Sequence, residues 1–280
     1  GTSSDDYFYN FAADKEIDFS HTTVDITNNY RHIRTDADGK ETVYQYCYPL
    51  GGEMRGVFVN LSLLDSLGLS VPTNYAELVR CCEVIKQAGY VAVQGTVSAL
   101  AYGLGIAQAA NTVVHDAEAL EKMSRAEEGV SLCFEDTLSK VYRLAVNRYC
   151  DYKAIEGTGY FMDGSELGQA RGFLGLSYDP RTFETVRPAN NAGYVAFFPY
   201  LSSTETIIRG LIEENGLDTN FKFICSPLND EGANSPVYIT PYYGVCANKN
   251  SENIIWIREF INFLFLEDNI KTYARNASII

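Results

Sequence analysis

The side chains best suited to chemistry in this chain are tyrosines. There are 20 of them, beside 15 phenylalanines and a single tryptophan. Several stand where loops meet the ends of β-type runs: Tyr46, Tyr48, Tyr200, Tyr242 and Tyr243. A tyrosine offers an apolar face that stacks on a sugar ring and a hydroxyl that hydrogen-bonds. The plainer use is to fill a half-buried strand position. For a tyrosine taken singly the plainer use is preferred; for the clusters Pro199-Tyr200 and Pro241-Tyr242-Tyr243 both stay open. Covalent catalysis has little to work with. His21, His32 and His115 are far apart, and none belongs to a pair at ligand spacing. No GxSxG elbow, HExxH helix or P-loop occurs, and Gly51-Gly52 lacks the strand–GxGxxG–helix context of a dinucleotide site. Aspartate and glutamate are plentiful, which leaves a glycan-cleaving carboxylate pair in a cleft as an alternative. The expectation is a protein that is not an enzyme, with no cofactor and no metal.

The seven cysteines are Cys47, Cys81, Cys82, Cys133, Cys150, Cys225 and Cys246. They include no CxxC pair, so zinc and thioredoxin-type readings fail. They read as small buried hydrophobes, and free thiols in such number argue against an oxidising compartment.

The elements that must position these residues alternate between strand and helix. The clearest is GLSVPTNYAELVRCCEVIKQAGY, Gly68 to Tyr90. Pro72 biases Val71 to an extended shape. Thr73 or Asn74 caps a helix, and from Asn74 the residue three on is Glu77, the spacing of a capping box. Tyr75, Leu78, Val79, Cys82 and Ile85 share one face. Gly89 stands at the left-handed C-terminal position, and Val91 to Val93 form a short strand. Upstream, Asp36-Ala37-Asp38-Gly39 reads as a turn; a calcium loop from Asp36 would need glutamate at its twelfth position, which is Cys47. β-type runs are expected at Val43–Tyr48, Gly56–Val59, Tyr194–Phe198, Phe221–Cys225 and Val237–Ala247. Helices are expected at Leu61–Leu67, Ser98–Met123, Ser131–Tyr149, Ser165–Leu176, Thr204–Asn215 (stopped by Gly216), and from a Ser251 cap through Leu266 and on to Arg275. Tyr178–Asn191 reads as loop. The pattern is α/β.

The chain has 280 residues, 46% of them hydrophobic, enough for one large or two smaller domains. Its formal charge of −14 repels nucleic acid and anionic membrane. No apolar run approaches the roughly 20 residues of a spanning helix. Ile254–Leu266 comes nearest, broken by Arg258, Glu259 and Asn262, and reads as a buried amphipathic helix. No signal peptide is read.

The order of several short motifs resembles the extracellular solute-binding proteins of ABC importers, in the sugar-binding family that includes maltose-binding protein. Tyr44-x-x-x-Tyr48-Pro49 with Val57-Phe58-Val59-Asn60-Leu61 is similar to the family's tyrosine–proline and "YNKDLF" runs. LDSLGLSVPTNYAEL, Leu64 to Leu78, resembles "LFEKLGLEVPKTWDEL", with Tyr75 where the family has tryptophan. Ala192 to Phe198 resembles the "GKAAM" strand, and Phe223 to Leu228 the "FGVAPLP" strand. Gly244 to Ser251, followed by Glu259 to Leu264, resembles "GxxISKNS … AxEFLxFL". The resemblance runs over about residues 44 to 275.

The resemblance implies a periplasmic-binding-protein-like (type II) clamshell of two α/β lobes joined by crossing strands. Residues 44–244 would be a nearly complete second lobe. Residues 1–43 and 245–280 would be what remains of a reduced first lobe, with hinge strands near 43–48 and 237–244. It implies ligand contacts at Tyr48, Glu53, Arg55, Gln94, Tyr102, Tyr200, Ser202, Tyr242 and Tyr243, with Glu53 and Arg55 alternatively a solvated pair. It implies an extracellular monomer, a cell-surface lipoprotein or periplasmic protein, that delivers a solute to a membrane permease. A carbohydrate is favoured; peptides and polyamines stay open. A ligand-sensing ectodomain of the same fold is the alternative to import.

Overall fold

The computed structural model of the chain describes residues 6–20, 30–94, 132–150, 166–179, 184–186, 195–230, 232, 238–241 and 244–277. In chain order the strands are β1 (Arg31–Thr35), β2 (Glu41–Gln45), β3 (Cys47–Pro49), β4 (Gly52–Asn60), β5 (Val91–Val93), β6 (Ser177–Asp179), β7 (Glu184–Val186), β8 (Val195–Leu201), β9 (Phe221–Ile224), β10 (Tyr238–Pro241) and β11 (Gly244–Cys246). The helices are α1 (Leu61–Ser66), α2 (Tyr75–Gln87), α3 (Leu132–Val146), α4 (Glu166–Phe173), α5 (Glu205–Glu214), α6 (Ile254–Leu264) and α7 (Glu267–Ala277). The chain divides into two compact units. Unit 1 is Gly1–Met54 with Ile239–Ile280, and unit 2 is Arg55–Tyr238. The divisions fall inside β4 and inside β10.

Unit 2 is built on the strands β4-β8-β5, paired in that order, with β9 also paired to β4. β5 and β8 run parallel, with Val91 opposite Val195 and Val93 opposite Phe197. β4 runs antiparallel to β8 and to β9. Side chains alternate across a strand, and β4 uses both faces. Val57 and Val59 pack with Leu63 and Leu64 of α1, Leu78, Cys82 and Ile85 of α2, and Leu144 of α3. Phe58 points the other way, among Ala170 and Phe173 of α4 and Ile208 and Leu211 of α5. Burial on both faces explains why GVFVN, Gly56–Asn60, is unbroken in its burial. Phe58 is the hub of an aromatic cluster, 4.8 Å from Phe223 and 5.9 Å from both Phe198 and Phe221, centroid to centroid.

The α2 cap forms as the spacing requires, with one change. The Asn74 side chain accepts from the Glu77 N–H at 3.0 Å. The Glu77 carboxylate reaches one residue further back than a capping box, to the Thr73 N–H and hydroxyl, each at 2.8 Å. One orphan donor of the helix, the Glu77 N–H, is satisfied, and the residue before the cap is tied down. The same end of the helical cover is tied to α3, where the Lys140 carbonyl accepts from the Tyr75 hydroxyl at 3.2 Å. The buried Lys140 ammonium pairs with Asp136 at 2.7 Å and Asp230 at 3.0 Å.

Unit 1 centres on Phe11, Ile17, Tyr48, Ala247, Ile261 and Phe265. β3 pairs antiparallel with β11, and β1 with β2. The β1–β2 turn is the expected Asp36–Gly39 turn: the Asp36 carboxylate accepts from the Asp38 and Lys40 N–H groups, and Gly39 sits at φ +78°. A second polar knot holds α6. The buried Asp14 carboxylate pairs with Arg258 at 2.6 Å and accepts from the Tyr9 hydroxyl at 2.6 Å.

Several expectations change. Part of the loop expected over 178–191 is a hairpin, with Ser177 opposite Val186 and Asp179 opposite Glu184. Three-residue strands are too short to show alternation. Ser251 does not cap α6: the N-cap is Asn253, and Ser251 instead accepts from the Asn253 N–H at 3.1 Å, closing a turn before the helix. α6 itself is not a buried helix. Ile261 is covered, while Ile255, Trp256, Phe260 and Phe263 are exposed, Trp256 by 72%. The cysteines are not uniformly buried either. Cys81 and Cys82 are, Cys47, Cys150 and Cys225 are half-buried, and Cys246 is exposed. The helix expected over Ser98–Met123 lies outside the described residues.

Candidate functional site

The described site lies at the carboxyl ends of the parallel strands of unit 2, where open α/β sheets bind ligands. β5 ends at Val93. The next residue, Gln94, keeps its backbone in the sheet by donating its N–H to the Phe197 carbonyl at 2.9 Å. Its side chain is fully buried, and among the described residues neither the amide oxygen Oε1 nor the amide nitrogen Nε2 has a hydrogen-bond partner. That is costly. A buried amide left unmade forfeits about 1–3 kcal/mol per group, and native proteins satisfy the great majority of such groups. An amide can donate twice and accept twice, which matches the mixed donor–acceptor character of a hydroxyl-bearing ligand.

β8 runs past Gln94 for a further three residues, roughly 10 Å at the ordinary strand rise. It ends at Leu201, which lies opposite Arg55 of β4. The chain then tightens into the 3-10 turn Ser202–Thr204 and enters α5. Ser202 and Thr204 are both buried. The Thr204 hydroxyl donates to the Glu166 carboxylate in the first turn of α4. Gln94, level with Phe198, falls on the face of the sheet that carries Tyr200 and is covered by α4 and α5, where Thr204 meets Glu166; Arg55 falls on the opposite face. Thr204 and Glu166 carried no signal in the sequence, because their pairing joins residues 38 apart.

The other expected contacts are placed as follows. Tyr200 is half-buried. Its ring stacks on Phe198 at 5.3 Å and packs against the Phe58 cluster. Strand alternation sends it to the face opposite Arg55. Tyr48 is a core residue of unit 1 with no exposed surface. It stacks on Phe19 at 5.0 Å, meets Phe265 edge-on, and donates its hydroxyl to the Asp18 carbonyl at 2.5 Å. Burial first, and then the Asp18 charge, push its phenol up to about 12, so it stays a neutral donor. Its enclosure takes it out of reach of a ligand. Glu53 is buried in the unit 1 part of β4 and Arg55 half-buried in the unit 2 part, so they are not a solvated pair. Tyr102, Tyr242 and Tyr243 lie outside the described residues.

Among the described residues no group of three or more His, Cys, Asp or Glu is arranged to hold a metal ion. Among them, too, no helix is long and apolar enough to cross a membrane.

No protein-family model matches the sequence, and no curated protein matches it. Solved structures match its fold. A sugar transporter of Bacillus licheniformis, solved in complex with stachyose, aligns with a TM-score of 0.63 at 16% identity, over 98% of this chain and 63% of that one. A family 1 extracellular solute-binding protein from Bifidobacterium longum subsp. infantis gives 0.62 at 10% identity, over 99% and 63%. The apo form of RafE from Streptococcus pneumoniae gives 0.65 at 13% identity, over 99% and 62%. The chain therefore spans less than two thirds of the length of these structures. Over that part it has the α/β fold of the solute-binding proteins.

Proposed function

We propose that the chain is part of an extracellular carbohydrate-binding protein that hands its solute to the permease of an ABC importer, acting as a binder and not as an enzyme. The observation that carries this reading is the Gln94 amide, buried at the carboxyl end of β5 and without a hydrogen-bond partner among the described residues. Sugar hydroxyls, which donate and accept, complement it. The solved structures that share the fold bind stachyose in one instance and acarbose in another. Ser202, Tyr200 and the Thr204–Glu166 pair supply further polar groups near it, while Arg55, Glu53, Tyr102, Tyr242 and Tyr243 stay as contacts that the resemblance implies. The first-lobe and second-lobe division proposed from the sequence belongs to this reading.

The test is thermal stabilisation by stachyose, acarbose, xylo-oligosaccharides and chito-oligosaccharides, with polyamines and short peptides as controls. A ligand that binds only the folded chain adds about 2.7 kcal/mol at a hundredfold excess over its Kd. One carbohydrate class is expected to raise Tm. In Gln94→Leu the ligand shift is expected to vanish, while the unliganded variant melts at or above the parent, since an unpaired buried amide has been replaced by an apolar group. A shift with polyamines alone, or a sugar shift that survives Gln94→Leu unchanged, overturns the assignment.

A further inference from the structure

Cys47 and Cys246 are direct partners across the β3–β11 ladder of unit 1. Directly opposed residues of an antiparallel pair have Cα atoms about 4.5–5.5 Å apart, inside the roughly 4.4–6.8 Å that a disulfide spans. The two side chains share a face of the ladder. A second observation shows the Cys47 sulfur already turned toward β11: a Cβ added at Gly244 would collide with the Cys47 Sγ. A third is that the thiols feel each other. Burial chiefly, and then Cys246, push the Cys47 thiol up to about 12. Both cysteines are free in this structure, and Cys246 is exposed.

We propose that Cys47 and Cys246 form a cross-strand disulfide that fastens the two chain segments on either side of unit 2. The oxidant is a disulfide compound, such as oxidised glutathione or an oxidised thiol–disulfide oxidoreductase. The exposed Cys246 thiolate attacks one sulfur of that disulfide, forming a mixed disulfide and releasing one thiolate. The Cys47 thiolate then attacks the Cys246 sulfur, and the second thiolate leaves. Two cysteine thiols lose two electrons and two protons, and the oxidant is reduced to two thiols.

The position gives the bond its consequence. The chain leaves unit 1 after Met54 and returns at Ile239. A bond between 47 and 246 closes a loop that contains all of unit 2. Long loops lose the most unfolded-state entropy on closure, so the chain-entropy effect is near its largest here. Formation of this bond does not depend on which solute the protein binds. It also revises the expectation from the sequence: this pair suits an oxidising exterior, where such bonds persist.

The test uses the folded chain treated with oxidised glutathione, against the same chain kept reduced with a phosphine. Intact mass is expected to fall by two hydrogens with no glutathione retained, and non-reducing peptide maps to join the Cys47 peptide to the Cys246 peptide. The oxidised chain is expected to melt several degrees above the reduced one. That difference is expected to vanish in Cys246→Ser and to persist in Cys225→Ser. Unlinked Cys47 and Cys246 peptides after full oxidation, or a stable glutathione adduct on Cys246, overturn the proposal. The peptide map needs only the parent chain, so a variant that fails to fold does not blunt it.

Discussion

Gly56 lies in β4, opposite Tyr200 of β8 and beside the residues that pair with β9. A methyl group there has nowhere to go. An added Cβ would meet the Ile224 carbonyl oxygen well inside 3.0 Å and the Phe223 Cζ at 2.7 Å. Phe223 can tilt, but the Ile224 carbonyl belongs to the backbone of β9. Relief requires β9 to move off β4, which loosens a ladder running from Val57–Ile224 to Asn60–Phe221 and the contact between Phe58 and Phe223. Overpacking costs typically 1–3 kcal/mol, and an immovable backbone obstacle puts Gly56→Ala at the upper end, about 3 kcal/mol. For a unit of this size each kcal/mol moves Tm by about 2–4 °C, so the unit 2 transition should fall by roughly 6–12 °C. Gly210 is the control. It lies within α5 with nothing inside 4 Å of an added Cβ. Gly210→Ala should stabilise by about 0.5–1 kcal/mol, the helix-propensity difference between the two residues. Differential scanning calorimetry of both variants decides the matter. A Gly56→Ala chain that melts within a degree of the parent would refute the close approach of β4 and β9.

Other outcomes follow from the same geometry. Asn74→Ala should cost about 1 kcal/mol in a urea melt, the worth of one N-cap. Acid should weaken unit 1 through Asp14. Burial pushes that carboxyl up, but hydrogen bonds from Tyr9, Arg258 and the Glu16 N–H outweigh it and hold it below the ordinary carboxylate range. The folded value is the lower one, so its stabilisation is full above the unfolded value of about 4 and drains away as pH falls below it. Asp14→Asn should flatten that part of a stability-versus-pH curve. The single tryptophan, Trp256, is 72% exposed on α6; its emission should be that of a solvated indole and acrylamide should quench it readily.

What could be read from the sequence was local. The α2 cap, the Asp36–Gly39 turn and the strand GVFVN depend on residues a few positions apart, so their spacing is enough to specify them. The position of Gln94, just past a short strand, was legible for the same reason. Its unpartnered state was not, because satisfaction of an amide depends on every group the fold brings near it. The tyrosines show the limit most clearly. Tyr48 and Tyr200 carry the same aromatic signal, yet tertiary packing encloses one between Phe19 and Phe265 and lays the other on Phe198. The partners that decide burial lie as far as 217 residues away, from Tyr48 to Phe265. The Cys47–Cys246 pairing is of the same kind, set by a strand register that joins residues on either side of unit 2. Sequence alone determined the capped helices and the apolar strands, because those choices rest on nearest neighbours along the chain; short polar strands such as β1, β6 and β7 depend on the partner they pair with. Only the tertiary structure decided which side chains are core, which are exposed and which stand unpaired, because those depend on neighbours in space.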